Sequence, residues 1–255
     1  MMKDIKMFLH YKVLSLLNKN FVRYKEIYLP PRYLRHCVDF KNDETFLQYA
    51  QHDVERLIEN CHLNNDKCIL DIGSGTGRLA IGILNQLGEI HAYRGIDILP
   101  LQVNWCQQYI TSHHPMFQFE CLDLKNSRYN PKGEDLSFNF RFPFEESDFD
   151  IIYLYSVFSH MEEKDICVYL HDFRRVIKKD GYLFFTAFVE KNVPDVTINP
   201  DNYRVDWGDS PLHCVRYNFD YLNKVLERYG FFISNFLYAS DTDGQSAMIA
   251  SAISQ

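Results

Sequence analysis

From Lys67 onward, short apolar runs alternate with segments of helical period, and no other feature limits the fold as tightly. Residues 68–72, 91–97, 117–121, 149–155 and 182–188 read as strands. Between them, Leu79, Ile81, Ile83 and Leu84 mark one helix and 101–112 a second. Ile166, Tyr169, Leu170, Phe173, Val176 and Ile177 mark a third, closed by the cations and glycine of Lys178-Lys179-Asp180-Gly181. Strands spaced by helices in this way predict an α/β fold, a mostly parallel sheet covered on both faces that binds ligands at the carboxyl ends of its strands. Residues 124–146, with Pro131, Gly133 and Pro143, read as loop. Ahead of the alternation, Ile5, Phe8, Leu9, Val13, Leu16, Leu17 and Phe21 predict an amphipathic helix over 4–24. A second helix is expected over 44–61, with Asp43 as its N-cap. The division expected is a helical lid or cap over 1–62 and one α/β domain over 63–255, with a polar insertion at 191–216.

Composition narrows the function classes. The 255 residues, 46% hydrophobic, suffice for one full core. A net charge of −7 argues against a wide grip on a phosphate backbone, so no nucleic-acid partner is expected. The charge is uneven: Lys3, Lys6, Lys12, Lys19, Arg23, Lys25, Arg32 and Arg35 outweigh Asp4 and Glu26 at the start of an otherwise acidic chain. That basic helix reads as packing on the body, as a lid, or as contact with an anionic membrane. Seven scattered cysteines with no CxxC pair predict neither a disulfide framework nor a zinc site. No apolar run reaches membrane-spanning length and no leader is evident, so a cytoplasmic protein is expected.

The chemistry centres on Asp71-Ile72-Gly73-Ser74-Gly75-Thr76-Gly77. Gly73, Gly75 and Gly77 allow a tight turn and a close backbone approach to a ligand before a helix. The spacing is G-x-G-x-G, not the G-x-G-x-x-G of dinucleotide sites. Asp71, at the end of the preceding strand, would repel a pyrophosphate and suits a cationic group such as the ammonium of a methionine moiety; the alternative is that it caps the loop amides. Asp97 closes the second strand, where a carboxylate accepts from both ribose hydroxyls. Asp123 follows the third strand, placed either to accept from an adenine amino group or to cap a turn.

The segment Ile69-Leu70-Asp71-Ile72-Gly73-Ser74-Gly75-Thr76-Gly77-Arg78 resembles the first motif of the class I S-adenosylmethionine-dependent methyltransferases. Asp97 and Asp123 match that family's second and third acidic positions. Phe149-Asp150-Ile151-Ile152 with Ser156-Val157-Phe158-Ser159-His160-Met161 is similar to the fourth motif of a subgroup acting on small molecules. Phe173–Leu183, Tyr129-Asn130-Pro131-Lys132-Gly133, Phe142-Pro143-Phe144 and Pro30-Pro31-Arg32 resemble the same subgroup. The resemblance spans about residues 28–190. It implies S-adenosylmethionine as cofactor, and a Rossmann-like, doubly wound, seven-stranded sheet whose last strand, 247–252, runs antiparallel beside 231–238. It further implies that Tyr155 and Ser156 line the methionine end, while Ile98 and Leu124 sandwich the adenine. The chain lacks the Asn/Asp-Pro-Pro-aromatic motif of enzymes that methylate amide or adenine nitrogens.

Methyl transfer from a sulfonium is an in-line displacement in which alignment supplies much of the rate. No metal-ligand spacing appears in the sequence. A small-molecule hydroxyl, of a sugar or a secondary metabolite, is the expected acceptor, and it benefits from a general base. His160, just past the fourth strand, and His213, in the insertion with Asp206, Trp207, Asp209 and Arg216, are the candidates. Each has a structural alternative: His160 as a loop anchor, the insertion as a plain surface loop. An inactive methyltransferase-like binding or regulatory protein and an NAD(P)-dependent oxidoreductase are the competing readings. Oligomeric state is left open.

Overall fold

The computed structural model describes residues 23–35, 39–203, 210–241 and 244–252. The expected helix over 4–24 falls outside these residues except for its last two. Those two, Arg23–Tyr24 (β1), pair antiparallel with Ile27–Tyr28 (β2), turning at Lys25, whose φ is 54°. Cys37, Asp206, Trp207 and Asp209 also lie outside the described residues.

Asp43–Cys61 forms α1, one residue longer than expected. Its cap is Asn42, not Asp43: the Asn42 side chain accepts from the N–H groups of Glu44 (2.9 Å) and Thr45 (3.1 Å). Asp43 is occupied elsewhere, by Arg32 at 3.0 Å and Arg35 at 2.7 Å. The helix ends where His62 takes a left-handed conformation.

The alternation then unfolds as β3 (Cys68–Ile72), α2 (Arg78–Gln86), β4 (Ala92–Asp97), α3 (Pro100–Cys106, continued by a π turn through Thr111), β5 (Phe117–Cys121), β6 (Phe149–Leu154), α4 (Glu163–Val176) and β7 (Ile177–Glu190). β8 (Val196–Ile198), β9 (Val215–Asn218), α5 (Phe219–Arg228), β10 (Phe231–Leu237) and β11 (Ser246–Ala252) complete it. Strand order along the sheet is β10-β11-β7-β6-β3-β4-β5. The pairs among β3 to β7 are parallel, and β11 runs antiparallel between β7 and β10. β9 adds beside the far end of β7, with β8 on its outer edge, so the described sheet extends beyond the seven strands expected. Both strands lie in or next to the 191–216 segment.

Alternate residues of the central strands feed two cores. Leu70, Ile152 and Leu154 face α4 and α5, with Leu170, Phe173 and Val225. Ile69, Ile151 and Tyr153 face α1, α2 and α3, with Val54, Ile83 and Trp105.

One boundary differs in kind. Lys178–Gly181 is not a helix terminus: α4 stops at Val176 and the strand begins at Ile177. Asp180, not Gly181, is the left-handed residue, at φ 64°. The Lys178 ammonium sits on Asp150 at 2.7 Å, tying the start of β7 to β6. A charge that reads as a helix-end cation is in fact a strand-to-strand tie.

Chain order reverses between β3 and β6: β4 follows β3 on one side, while β6 crosses to the other. A crevice opens at such a switch point, beyond the carboxyl ends of the two strands.

Candidate active site

A cavity of about 360 Å³ occupies that crevice, within the range of small-ligand sites. Of the expected cofactor residues, Asp71, Gly73, Ser74, Gly75, Asp97, Ile98, Leu124, Tyr155 and Ser156 line it, and so do both candidate bases, His160 and His213.

The glycine loop is pinned by its neighbour strand. The N–H groups of Gly73 and Ser74 donate to the Ile96 carbonyl at 2.8 and 3.0 Å. Asp97 accepts from the Gly75 N–H at 2.7 Å and the Leu99 N–H at 2.9 Å. The carboxylate that caps the loop is therefore Asp97, and the capping alternative for Asp71 falls away. Asp71 is 3% exposed and accepts a short hydrogen bond from the Tyr93 hydroxyl. Burial pushes its pKa up to about 7, against the Tyr93 bond and the charge of Arg78. Burial also raises Asp97, to about 6, although three backbone donors oppose it.

Two glycines differ in what they do. A Cβ on Gly75, at φ 52°, would meet nothing closer than the Gly73 carbonyl oxygen at 4.0 Å, so the space it would fill is cavity. A Cβ on Gly77, at φ 73°, would strike Ile110 Cδ1 at 2.7 Å. Gly77 packs the loop onto the end of α3 and does not line the cavity, contrary to its expected ligand role. Asp123 is displaced as well. It is exposed, does not line the cavity, and accepts from the Asn130 side chain at 2.8 Å. Here the turn-capping alternative describes the residue better, because the bridged loop 124–134 claims its carboxylate.

Sequence reasoning missed several lining groups. Arg78 stacks over Tyr155 at 4.1 Å and pairs with buried Asp53 of α1 at 2.5 Å. Asp53 also holds Arg56, which reaches Asp241. Gln245, in the turn before β11, donates to Ser156 Oγ at 2.8 Å and accepts from Thr186 at 3.0 Å. Thr186 in turn accepts from the Ser156 N–H at 2.8 Å. These bonds hold Ser156 at φ 56°, a conformation that a non-glycine residue keeps only when its surroundings impose it. Arg78 follows the motif directly and its position offered a signal. Gln245 offered none.

At the other end of the cavity, the ring of His160 lies 6.2 Å from that of His213 and edge-on to Tyr129. His160 Nδ1 is 3.0 Å from the Leu212 carbonyl oxygen, an acceptor only. Nδ1 therefore carries the proton, and Nε2 presents its lone pair near Ser156 Oγ at 3.4 Å. Burial lowers the His160 pKa to about 4, helped by the charge of Arg128. His213 is lowered by burial and by the same arginine.

A family model described as "Methyltransferase domain" matches residues 44–233. The chain belongs to this family, and the match removes the oxidoreductase reading. Mouse arsenite methyltransferase is 25% identical over 184 residues, which is 70% of this chain and 44% of that protein. The chain thus spans less than half the length of that relative. Among solved structures, the 4+2 cyclase SpnF aligns with a TM-score of 0.57 at 16% identity, over 82% of each chain. The 1,6-didemethyltoxoflavin-N1-methyltransferase of Burkholderia thailandensis aligns at 0.56 and 14% identity, over 83% of this chain and 80% of that one. At such identities the likeness establishes the fold.

S-adenosylmethionine is the cofactor of this class I family, and the residues present fit it. The cavity has a glycine-walled cradle, two carboxylates at the carboxyl ends of adjacent strands, and two buried lining hydroxyls with no hydrogen-bond partner among the described residues, Ser74 Oγ and Tyr153 Oη. Unpaired buried polar atoms around an open cradle suit a polar ligand.

Proposed function

We propose that this methyltransferase domain transfers the methyl group of S-adenosylmethionine to a hydroxyl of a small molecule, such as a sugar or a secondary metabolite. The observation that carries the reading is the pairing, in one cavity, of the Asp71–Asp97 end with a neutral His160 whose tautomer is fixed.

In this reading Asp71 receives the ammonium group and Asp97 the ribose hydroxyls, while Ile98 and Leu124 flank the adenine. Tyr155 and Ser156 shape the methionine end. The bound cofactor supplies an electrophilic methyl group on a sulfonium. The protein's part is to align the acceptor oxygen with that carbon, exclude water, and take up the hydroxyl proton at His160 Nε2, or at His213. The 191–216 segment, which brings His213 and Cys214 to the cavity, caps the acceptor. Residues 63–255 form the catalytic domain.

The test is transfer from labelled S-adenosylmethionine to a fractionated cell extract, with the product identified by mass spectrometry. A methyl ether supports the reading. A methylated nitrogen or carbon removes the hydroxyl assignment. Binding of S-adenosylhomocysteine with no transfer to any fraction favours the inactive binding protein.

A further inference from the structure

The acceptor end of the cavity holds a charge with no counter-charge among the described residues. Arg35, Arg78 and Lys125 also line the cavity, and each rests on a carboxylate: Asp43 at 2.7 Å, Asp53 at 2.5 Å and Asp135 at 2.7 Å. Arg128 lines it with no carboxylate partner among the described residues. Its Nη1 donates to Ser210 Oγ at 2.7 Å, its guanidinium lies 5.2 Å from the centre of the Tyr129 ring, and its Nε is buried with no partner among the described residues.

With Nη1 occupied, the edge formed by Nε and Nη2 is left. That edge presents two parallel N–H groups and matches a carboxylate or phosphate in a forked geometry. Arg128 also acts electrostatically on both His160 and His213, and lowers the pKa of each. Asp165 lines the cavity as well, but its charged neighbours are Lys164, Glu162 and Asp135. Tyr129 and Tyr203 add aromatic lining. In a chain of net charge −7, a partly buried cationic pocket of this kind is a local inversion of the protein's field.

We propose that the methyl acceptor carries an oxyanion, a carboxylate or a phosphate ester, which seats on Arg128 beside His160 and His213 and so selects which acceptor atom faces the methyl group. This rests on the methyltransferase reading above for the acceptor's role, but the anion site can be tested by itself. Seating an oxyanion gives the Nε proton an acceptor. It also offsets the charge that disfavours a protonated histidine next to the reacting hydroxyl.

The probes are benzoate, phenyl phosphate and uncharged benzamide, titrated calorimetrically into the full chain with and without saturating S-adenosylhomocysteine. At least one anion is expected to bind about tenfold or more tighter than benzamide, and Arg128→Gln to erase that preference. Arg128→Lys keeps the charge without the fork and is expected to lose part of it. S-adenosylhomocysteine affinity should stay within about threefold in both variants. Whichever anion binds tighter separates the carboxylate source from the phosphate source. The proposal is overturned if neither anion outcompetes benzamide, or if both variants keep the full preference. If an anion binds through Arg128 while S-adenosylhomocysteine does not bind at all, the cofactor reading fails and the anion site stands.

Discussion

The two ends of the cavity are built by different means. The cofactor end is made from the last residues of β3 and β4 and the first residues past β3, β4 and β6, held by hydrogen bonds of the loop amides, Gly73 to the Ile96 carbonyl and Gly75 to the Asp97 carboxylate. The acceptor end is made from side chains on segments far apart in sequence: Arg128 and Tyr129, His160, and His213. Topology dictates the first end, because any chain wound this way must place those loops at the switch point. Side-chain choice dictates the second. The fold therefore limits which cofactor is held, and leaves the acceptor free to vary.

The comparison breaks most visibly at Asp97. If the cofactor end is a backbone device pinned by this one carboxylate, Asp97→Ala releases the Gly75 and Leu99 amides and removes the ribose acceptor together. S-adenosylhomocysteine affinity should then fall by about 100-fold or more, the size of effect expected when a buried, hydrogen-bonded charge is truncated. Calorimetry measures it. A loss of only a few-fold would mean that the loop holds its shape without the pin.

At the acceptor end the matching change is His160→Ala. Turnover is expected to drop by about 100-fold, a typical share for a general base, with S-adenosylhomocysteine affinity nearly unchanged. The split between turnover and cofactor binding separates a base from a loop anchor, since loss of an anchor would disturb Ser156 and weaken both. If His160→Ala and His213→Ala each kept near-normal turnover at neutral pH, no histidine base would operate.

A smaller effect follows from Asp71, raised to about 7 by burial. A cationic group binds the carboxylate form and lowers its pKa in the complex. Affinity is therefore full above the free-protein value and declines as pH falls through it, by about tenfold between pH 8 and pH 6, with protons released on binding near neutrality. Asp97, at about 6, steepens the decline at the acid end. Isothermal titration in buffers of different ionisation enthalpy reads the proton count directly. Flat affinity over this range would place the ammonium away from Asp71. Asp71→Asn should remove the decline centred near pH 7 and leave only the weaker, more acid one that belongs to Asp97.

How much of this was legible in the sequence follows from the same contrast. Asp71, Gly75 and Asp97 could be read because strand ends and a glycine loop fix positions that the sheet topology then brings together. Gln245 could not: it bonds Ser156 across 89 positions of sequence, through a β11 inserted between β7 and β10. Arg128 lies in a stretch with no periodicity, and its meaning depends on having no carboxylate partner among the described residues, which no spacing encodes. Misreadings arose where two charged groups competed. Asp43 looked like a helix cap until Arg32 and Arg35 claimed it, and Lys178 looked like a helix-end cation until Asp150 did.

Asp123 provides the finest test, because there motif and geometry disagree. The family pattern assigns it to the adenine, yet its carboxylate is held by Asn130 at 2.8 Å and does not line the cavity. The backbone explains why: the Leu124 N–H turns back onto the Leu122 carbonyl at 2.9 Å, and Glu134 donates to the Asp123 carbonyl at 2.8 Å. The chain therefore bends away from the β5 direction just as the side chain emerges. Asp123→Ala should change S-adenosylhomocysteine affinity by no more than about threefold, with any loss arising from a looser 124–134 loop and hence a less well-placed Leu124. Asn130→Ala should match that loss, since it removes the same tie from the other side. A tenfold or greater loss in Asp123→Ala, with Asn130→Ala near wild type, would show that the carboxylate leaves Asn130 and turns to the adenine when the cofactor binds. The cofactor end would then close around its ligand, whereas the Asp97 pin describes one already formed.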